Sequence, residues 1–231
     1  QVAHHARLAE VLTQSLQSRR WFGGKARTIR RSEIVDVVPV MFNSSMAYIV
    51  LLKVEFVEGQ PETYVLPLAY AEGERASEIQ QNAYQSLFAT IRMKDGGGLL
   101  YDALADTAFC RVLFTMIASS RRLEGERGHI ATSATQVFRQ ATLPSRAMML
   151  EPRMLQAEQS NSSIVYGDLM ILKVFRRTDQ GINPELEVGQ FLTEQTNFAN
   201  SAAVAGSVEY TPLRGQPMNL AILQKYIVNE G

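Results

Sequence analysis

The sequence has few of the residues that build metal sites and disulfides. Its 231 residues include one cysteine and three histidines. A single cysteine, Cys110, cannot form an intrachain disulfide or a zinc site of several thiolates. The histidines His4, His5 and His129 lack the spacing of a ligand motif such as HExxH. We therefore expect no metal site built from histidine and cysteine.

The chain also has no excess of charge and no long apolar run. Lys and Arg number 23, as do Asp and Glu, so the formal net charge is zero. A neutral chain offers no general positive field to nucleic acid or to an anionic membrane. The longest apolar runs have about seven residues, whereas a spanning helix needs about 20. With no apolar block typical of a secretory signal near the start, the sequence predicts a cytoplasmic protein that binds neither nucleic acid nor membrane.

What the chain does contain is typical of a globular protein of one large or two modest domains. Hydrophobic residues make up 46% and charged residues 20%. The amino-acid composition changes around 144–152, where Pro144 and Pro152 bracket a Met-rich link. This change predicts a boundary between a first unit, residues 1–145, and a second, residues 146–231.

The pattern of apolar residues predicts an α+β protein with antiparallel sheets in both units. In the first unit the predicted helices are 3–18, 73–82 and 103–119, the last capped by Asp102, and the predicted strands are 33–40, 46–56, 63–69 and 86–93. Residues 130–146 are interpreted as strand and loop. In the second unit the predicted strands are 153–158, 164–166, 169–175, 207–210 and 218–228, with a polar loop at 159–163. A helix at 184–195 follows Asn183 as N-cap and Pro184 at its first position.

Lys173 and the glutamates of the following helix form the candidate chemical site. In an alternating strand Lys173 shares a face with Ile171 and Phe175, so its ammonium needs a partner or a route to solvent. Glu185 and Glu187 on the helix offer two carboxylates. Phosphoryl-transfer lobes use this arrangement, with a strand lysine on the phosphates, a helix carboxylate holding it and a small-residue loop nearby. The alternative interpretation is purely structural. Lys173 would then be a strand lysine that reaches solvent, the small-residue loop an ordinary turn, and the two glutamates residues that favour the helix dipole.

Three separated segments resemble bacterial maltokinases, including the maltokinase part of trehalose synthase–maltokinase fusions. Residues 158–192, EQSNSSIVYGDLMILKVFRRTDQGINPELEVGQFL, are similar to the nucleotide-binding segment of that family. The stretch RWFGGK at 20–25 resembles its start, and LQKYIVNEG at 223–231 resembles the hinge strand between its two lobes. The segments occur in the family's order, and the resemblance covers essentially the whole chain.

The resemblance implies an aminoglycoside-phosphotransferase-like kinase that uses ATP and Mg²⁺ to convert maltose into maltose 1-phosphate. Residues 1–145 would be the N-terminal cap domain and 146–231 a protein-kinase-like N-lobe, an antiparallel sheet plus one helix. The matching site residues are Ser160, Asn161, Ser162 and Ser163 in the phosphate-side loop, Lys173 on the phosphates, Glu187 as its partner with Glu185 as second choice, and Gln224, Tyr226 and Val228 on the hinge.

The resemblance also has a gap. The family's histidine–glycine–aspartate catalytic run and its metal-binding aspartate belong to a C-terminal lobe, and neither occurs in these 231 residues. We therefore expect a cap plus N-lobe that is inactive without that lobe, its main partner. Two alternatives stay open: the cap is an interaction module that docks a partner such as a trehalose synthase domain, or the parent kinase acts on another small hydroxylated substrate.

Trp21 and Phe22, within RWFGGK, allow two interpretations. Exposed aromatic faces suit sugar rings, whereas buried ones would anchor the link between helix and strand. We favour the anchor, because tryptophan is usually largely buried.

Overall fold

The computed structural model describes residues 2–93, 96–140, 149, 151–155, 160–196, 198 and 200–227. Within these residues thirteen strands form two antiparallel sheets, one of six strands and one of seven. Five α-helices accompany the sheets in the same described part of the chain. The predicted α+β class with antiparallel sheets is therefore confirmed.

The first sheet is built from the first 102 residues plus one later strand. Its strands are β1 (Ile29–Phe42), β2 (Ser45–Phe56), β3 (Glu62–Glu72), β4 (Leu87–Met93), β5 (Gly96–Asp102) and the short β11 (Arg177–Thr178). The order is β1-β2-β3-β5-β4, and β11 adds to β3. Helix α1 (Val2–Leu16) buries Ala9, Leu12 and Leu16 against one face of this sheet, and α2 (Gly73–Asn82) follows β3.

The second sheet crosses the predicted boundary at residue 145. Its strands are β6 (Arg122–Glu124), β7 (Gly128–Ala134), β8 (Pro152–Met154), β9 (Asn161–Tyr166), β10 (Met170–Phe175), β12 (Val204–Pro212) and β13 (Met218–Lys225). They run in the order β6-β7-β12-β13-β10-β9-β8. Because β7 pairs with β12 along seven residue positions, a division between 1–145 and 146–231 would cut this sheet apart.

The longest predicted helix of the first unit divides into two elements. A 3-10 turn at Ala103–Ala105 comes first, and helix α3 (Thr107–Ala118) follows. Asp106 caps α3 by accepting a hydrogen bond from the Ala108 N–H at 2.9 Å, whereas Asp102 caps the 3-10 turn through Leu104 at 3.1 Å. The prediction that Asp102 caps the long helix was wrong by one turn.

Helix α3 supplies the core that the two sheets share. Phe109 and Phe114 of α3 belong to one buried cluster that contains Leu51 of the first sheet and Leu172 of the second. A short helix, α4 (Gln136–Gln140), follows β7. The last helix, α5 (Pro184–Gln195), lies against the second sheet, where Leu186 packs in a cluster with Phe175.

A buried carboxylate on β1 also joins the sheets. Asp36 is almost fully buried. Its Oδ1 accepts hydrogen bonds from the backbone N–H groups of Glu126 (2.8 Å) and Arg127 (3.0 Å), and its Oδ2 accepts one from the Tyr210 hydroxyl at 2.8 Å. The carboxylate thus connects the first sheet to the β6–β7 turn and to β12.

Candidate functional site

Strand β10 places Lys173 in the interior of the second sheet, between β9 and β13. Lys173 lies opposite Ser163 on β9 and Ile222 on β13. Directly opposed residues share a face of a sheet. The alternation along β10 buries Leu172 and Val174 on the other face, against the shared core. The Lys173 side chain is left 24% exposed.

Helix α5 begins where the sequence predicts. Asn183 caps it, with its Oδ1 accepting a hydrogen bond from the Glu185 N–H at 2.8 Å, and Pro184 occupies the first turn. The cap residue is itself held, because the Asn183 N–H donates to Asn219 Oδ1 on β13 at 2.8 Å. Leu186 then packs against the sheet. These contacts fix the first turn of α5 beside β10.

Lys173 and Glu185 form an ion pair at this junction. The Lys173 Nζ donates to both carboxylate oxygens of Glu185, each at 2.8 Å. Glu187, the first choice from the sequence, is exposed and forms no ion pair with the described residues. At 3.6 residues per turn, Glu185 and Glu187 lie about 100° from Leu186 on opposite sides of it. With Leu186 packed on the sheet, the side that carries Glu185 faces β10, so the correct partner is the second choice.

The predicted phosphate-side loop is largely a strand. Strand β9 begins at Asn161, so Asn161, Ser162 and Ser163 pair with β10. Ser163 is fully buried, and the buried Ser162 Oγ accepts a hydrogen bond from Arg176 Nε at 2.7 Å. This burial argues against direct contact of either serine with a nucleotide. Ser160 is exposed and Asn161 half-buried, so for these two the phosphate-side role stays a prediction.

The predicted hinge lies at the end of β13. Gln224 is half-buried opposite Ile171, on the sheet face that carries Lys173. Tyr226 follows the strand, and its N–H donates to the Leu169 carbonyl at 2.8 Å. Val228 lies outside the described residues. The structure therefore brings Lys173, Glu185 and Gln224 to one side of the sheet.

A buried arginine that the sequence analysis missed lies three residues beyond Lys173. The Arg176 side chain is 2% exposed. Its guanidinium donates to Asp102 Oδ2 at 2.5 Å and to Ser162 at 2.7 Å, and it lies 4.9 Å from the Trp21 ring centroid. Arginine is rarely fully buried unless it is paired. From the sequence alone, two consecutive arginines at the end of a strand do not indicate which of the two is buried.

The RWFGGK stretch packs beside Arg176. Phe22 is buried with its ring 5.1 Å from that of Tyr64, and Trp21 is half-buried at 6.3 Å from the same ring. The preceding Arg19 is buried and donates to the carbonyls of Gln85 and Leu87. The burial of Phe22 confirms its role as an anchor of the link between α1 and β1, whereas Trp21 packs on Tyr64 but stays half-buried.

Comparison with protein families supports the relation proposed from this stretch. Residues 16–106 match the family described as the maltokinase N-terminal cap domain. The matched segment runs from the end of α1 to the N-cap of α3 and includes RWFGGK. The resemblance to the maltokinase N-terminal region is thereby confirmed over residues 16–106.

Two solved structures of glucosamine kinase are among those that match this chain. One, in complex with glucosamine, ADP and inorganic phosphate, is 12% identical with a TM-score of 0.49, over 93% of this chain and 40% of that one. The other, crystal form A, has the same identity and TM-score, over 85% of this chain and 35% of that one. The chain thus spans less than half the length of either structure.

Among the described residues, no group of three or more His, Cys, Asp or Glu side chains is placed to hold a metal ion. None of the helices in this part of the chain is long and apolar enough to cross a membrane.

Proposed function

We propose that this chain is the cap and ATP-binding lobe of a maltokinase, which transfers the γ-phosphate of ATP to the anomeric hydroxyl of maltose. The Lys173–Glu185 ion pair, each bond 2.8 Å long, is the observation that carries the proposal. Lys173 lies on the third strand of the run β8-β9-β10, and Glu185 on the helix that follows. Protein kinases place the phosphate-binding lysine and its glutamate on the same two elements.

The geometry at Lys173 supports the binding of a nucleotide triphosphate in two ways. The ammonium of Lys173 is held by one carboxylate yet remains partly exposed, so it can also donate to phosphate oxygens. Glu185, fixed by the cap at Asn183, restricts the rotamers of the lysine. Gln224 lies on the same face, and we assign it, with Tyr226 and Val228, to the adenine side. Ser160 and Asn161 are assigned to the phosphate side.

The rest of the reaction is assigned to the lobe that the sequence resemblance implies. We propose that a C-terminal lobe supplies the catalytic base, the Mg²⁺ ligands and most of the maltose surface, as in maltokinases. When bound, Mg²⁺ neutralises charge on the transferring phosphate. On this proposal the protein is cytoplasmic, the 231-residue chain alone transfers no phosphate, and a trehalose synthase domain is a further partner.

The test uses the full-length protein with ATP, Mg²⁺ and maltose, followed by ³¹P NMR. We expect a sugar 1-phosphate signal that Lys173→Met reduces by at least about 100-fold, since positioning and charge stabilisation dominate phosphoryl transfer. Lys53→Met is the matched control, because Lys53 lies on β2 of the first sheet and pairs with Glu33 and Glu55. Near-normal turnover of Lys173→Met would refute the lysine assignment. Phosphorylation of glucose or trehalose in preference to maltose would refute the substrate.

A further inference from the structure

A buried polar cluster joins the matched cap segment to the strands beside Lys173. We call Trp21, Asp102, Ser162 and Arg176 the junction cluster. Its centre is the Arg176 guanidinium, which donates to Asp102 Oδ2 at 2.5 Å and to Ser162 Oγ at 2.7 Å. The guanidinium carbon is 4.9 Å from the Trp21 ring centroid. Trp21 and Asp102 belong to the matched segment 16–106, and the other two residues to the lobe.

The junction cluster lies immediately beside the proposed nucleotide site. Ser162 is the register partner of Val174, and the next residue, Ser163, is the partner of Lys173. Arg176 follows β10 directly, and its backbone carbonyl accepts a hydrogen bond from the Val65 N–H of β3 at 2.9 Å. Side chain and main chain of one residue therefore connect β9 and β10 to the first sheet.

The charges of Asp102, Arg176 and the nearby Arg19 oppose separation of the cap segment from strands β9 and β10. Arg19 and Arg176 are both buried. The charges of Asp102 and Arg176 both influence the pKa of Arg19. Burial lowers the pKa of Arg19, and the Arg176 charge lowers it further, while Asp102 raises it. Guanidinium groups stay protonated in proteins. Withdrawing Asp102 would leave both guanidinium groups without the carboxylate that acts on them, which opposes separation of Asp102 from Arg176.

We propose that Arg176 is a positioning residue for the nucleotide site: by clamping Ser162 to Asp102, it fixes β9 against β10 and so holds Lys173 at the ATP phosphates. The cap domain thereby contributes to ATP affinity without contacting the nucleotide. This inference rests on the proposed function. Arg176 itself faces the junction rather than the Lys173–Glu185 side of the sheet, since Ser162 and Val174 lie on the face opposite Lys173.

The experiment compares two adjacent arginines in the full-length protein. Arg176→Lys keeps the charge but loses the fork that spans Asp102 and Ser162. Arg177→Lys is the control, because Arg177 is exposed and contacts Glu62 at 3.3 Å. Coupling energies between sites correspond to changes of about 5-fold or more. We expect the Kd and KM for ATP to rise by at least about 5-fold in Arg176→Lys, with the KM for maltose and both constants of Arg177→Lys unchanged.

A second perturbation from the cap side tests the same clamp. Asp102→Asn keeps the shape of the side chain and removes its charge, and it should raise the Kd for ATP in the same direction. Because both substitutions disrupt the same Arg176–Asp102 contact, the double variant should weaken ATP binding no more than the stronger single variant does. Hydrogen exchange of the β9 and β10 amides should rise in both variants and stay unchanged in Arg177→Lys. Should Arg176→Lys fail to fold, Asp102→Asn gives the same comparison.

The outcomes separate this inference from the proposed function. An unchanged Kd for ATP in folded Arg176→Lys and Asp102→Asn would overturn the positioning role while leaving Lys173 as the phosphate ligand. Equal weakening of ATP and maltose binding would also overturn it, since that result indicates a general loss of structure. A wild-type protein that does not bind ATP would overturn both.

Discussion

The Arg176–Asp102 pair is buried, so removal of its carboxylate should leave an uncompensated charge inside the protein. Asp102 is buried at the end of β5 and accepts hydrogen bonds from Arg176 at 2.5 Å and from the Leu104 N–H at 3.1 Å. In Asp102→Ala the guanidinium of Arg176 stays buried without its counter-charge, and Arg19 remains nearby. We therefore expect a large loss of stability from one substitution.

The size of this loss follows from the burial. Removing one partner of a buried ion pair costs about 3–5 kcal/mol. At about 2–4 °C per kcal/mol for a chain of this size, Tm should fall by roughly 6–20 °C. Differential scanning calorimetry measures the change directly.

A matched control separates burial from charge. Glu124 pairs with Arg122 at 2.8 Å, but both side chains are at least 60% exposed. Exposed pairs contribute about 0–1 kcal/mol, so Glu124→Ala should shift Tm by only a few degrees. If Asp102→Ala lowers Tm no more than Glu124→Ala does, the buried pair does not hold the two sheets together.

Two further predictions concern packing and a buried thiol. A Cβ on Gly24 would lie 2.6 Å from the Phe22 ring and 2.7 Å from that of Phe56, whereas one on Gly23 meets nothing within 4 Å. Gly24→Ala should therefore cost about 1–3 kcal/mol in a urea titration; a cost in Gly23→Ala as large as this would contradict the packing explanation. Burial raises the pKa of the Cys110 thiol from 9.0 to about 12, so a thiol reagent at pH 8 should modify Cys110 only after unfolding. Because the folded pKa is the higher one, the urea midpoint should also fall as pH rises from 9 towards 12; rapid labelling of the native protein would contradict this burial.

The elements that carry the site were predictable because their signals are local. Alternation along β10 places Lys173, and the sequence Asn183-Pro184 marks the start of α5 through its cap and its fixed backbone angle. The choice between Glu185 and Glu187 was not predictable. It depends on the direction in which Leu186 packs, and that is a tertiary contact.

The remaining differences also arise from long-range contacts. Asn161–Ser163 form a strand because pairing with β10 satisfies their backbone, and Arg176 gives Ser162 a partner for its hydroxyl. The boundary predicted at residue 145 follows the local change in composition, but β7 pairs with β12, more than 70 positions later. The matched cap segment ends at residue 106, before α3. A boundary near that residue agrees better with the sheet topology.

The proposed binding of ATP phosphates at Lys173 can be tested with an acyl-phosphate derivative of ATP. Such a reagent transfers its acyl group to a lysine amine that lies beside the bound phosphates, and mass spectrometry locates the label. The chain has five lysines, at positions 25, 53, 94, 173 and 225. We predict that Lys173 of the full-length protein is labelled preferentially and that excess ATP blocks this labelling. Uniform labelling of the five lysines, unaffected by ATP, would contradict the assignment of Lys173 to the phosphates.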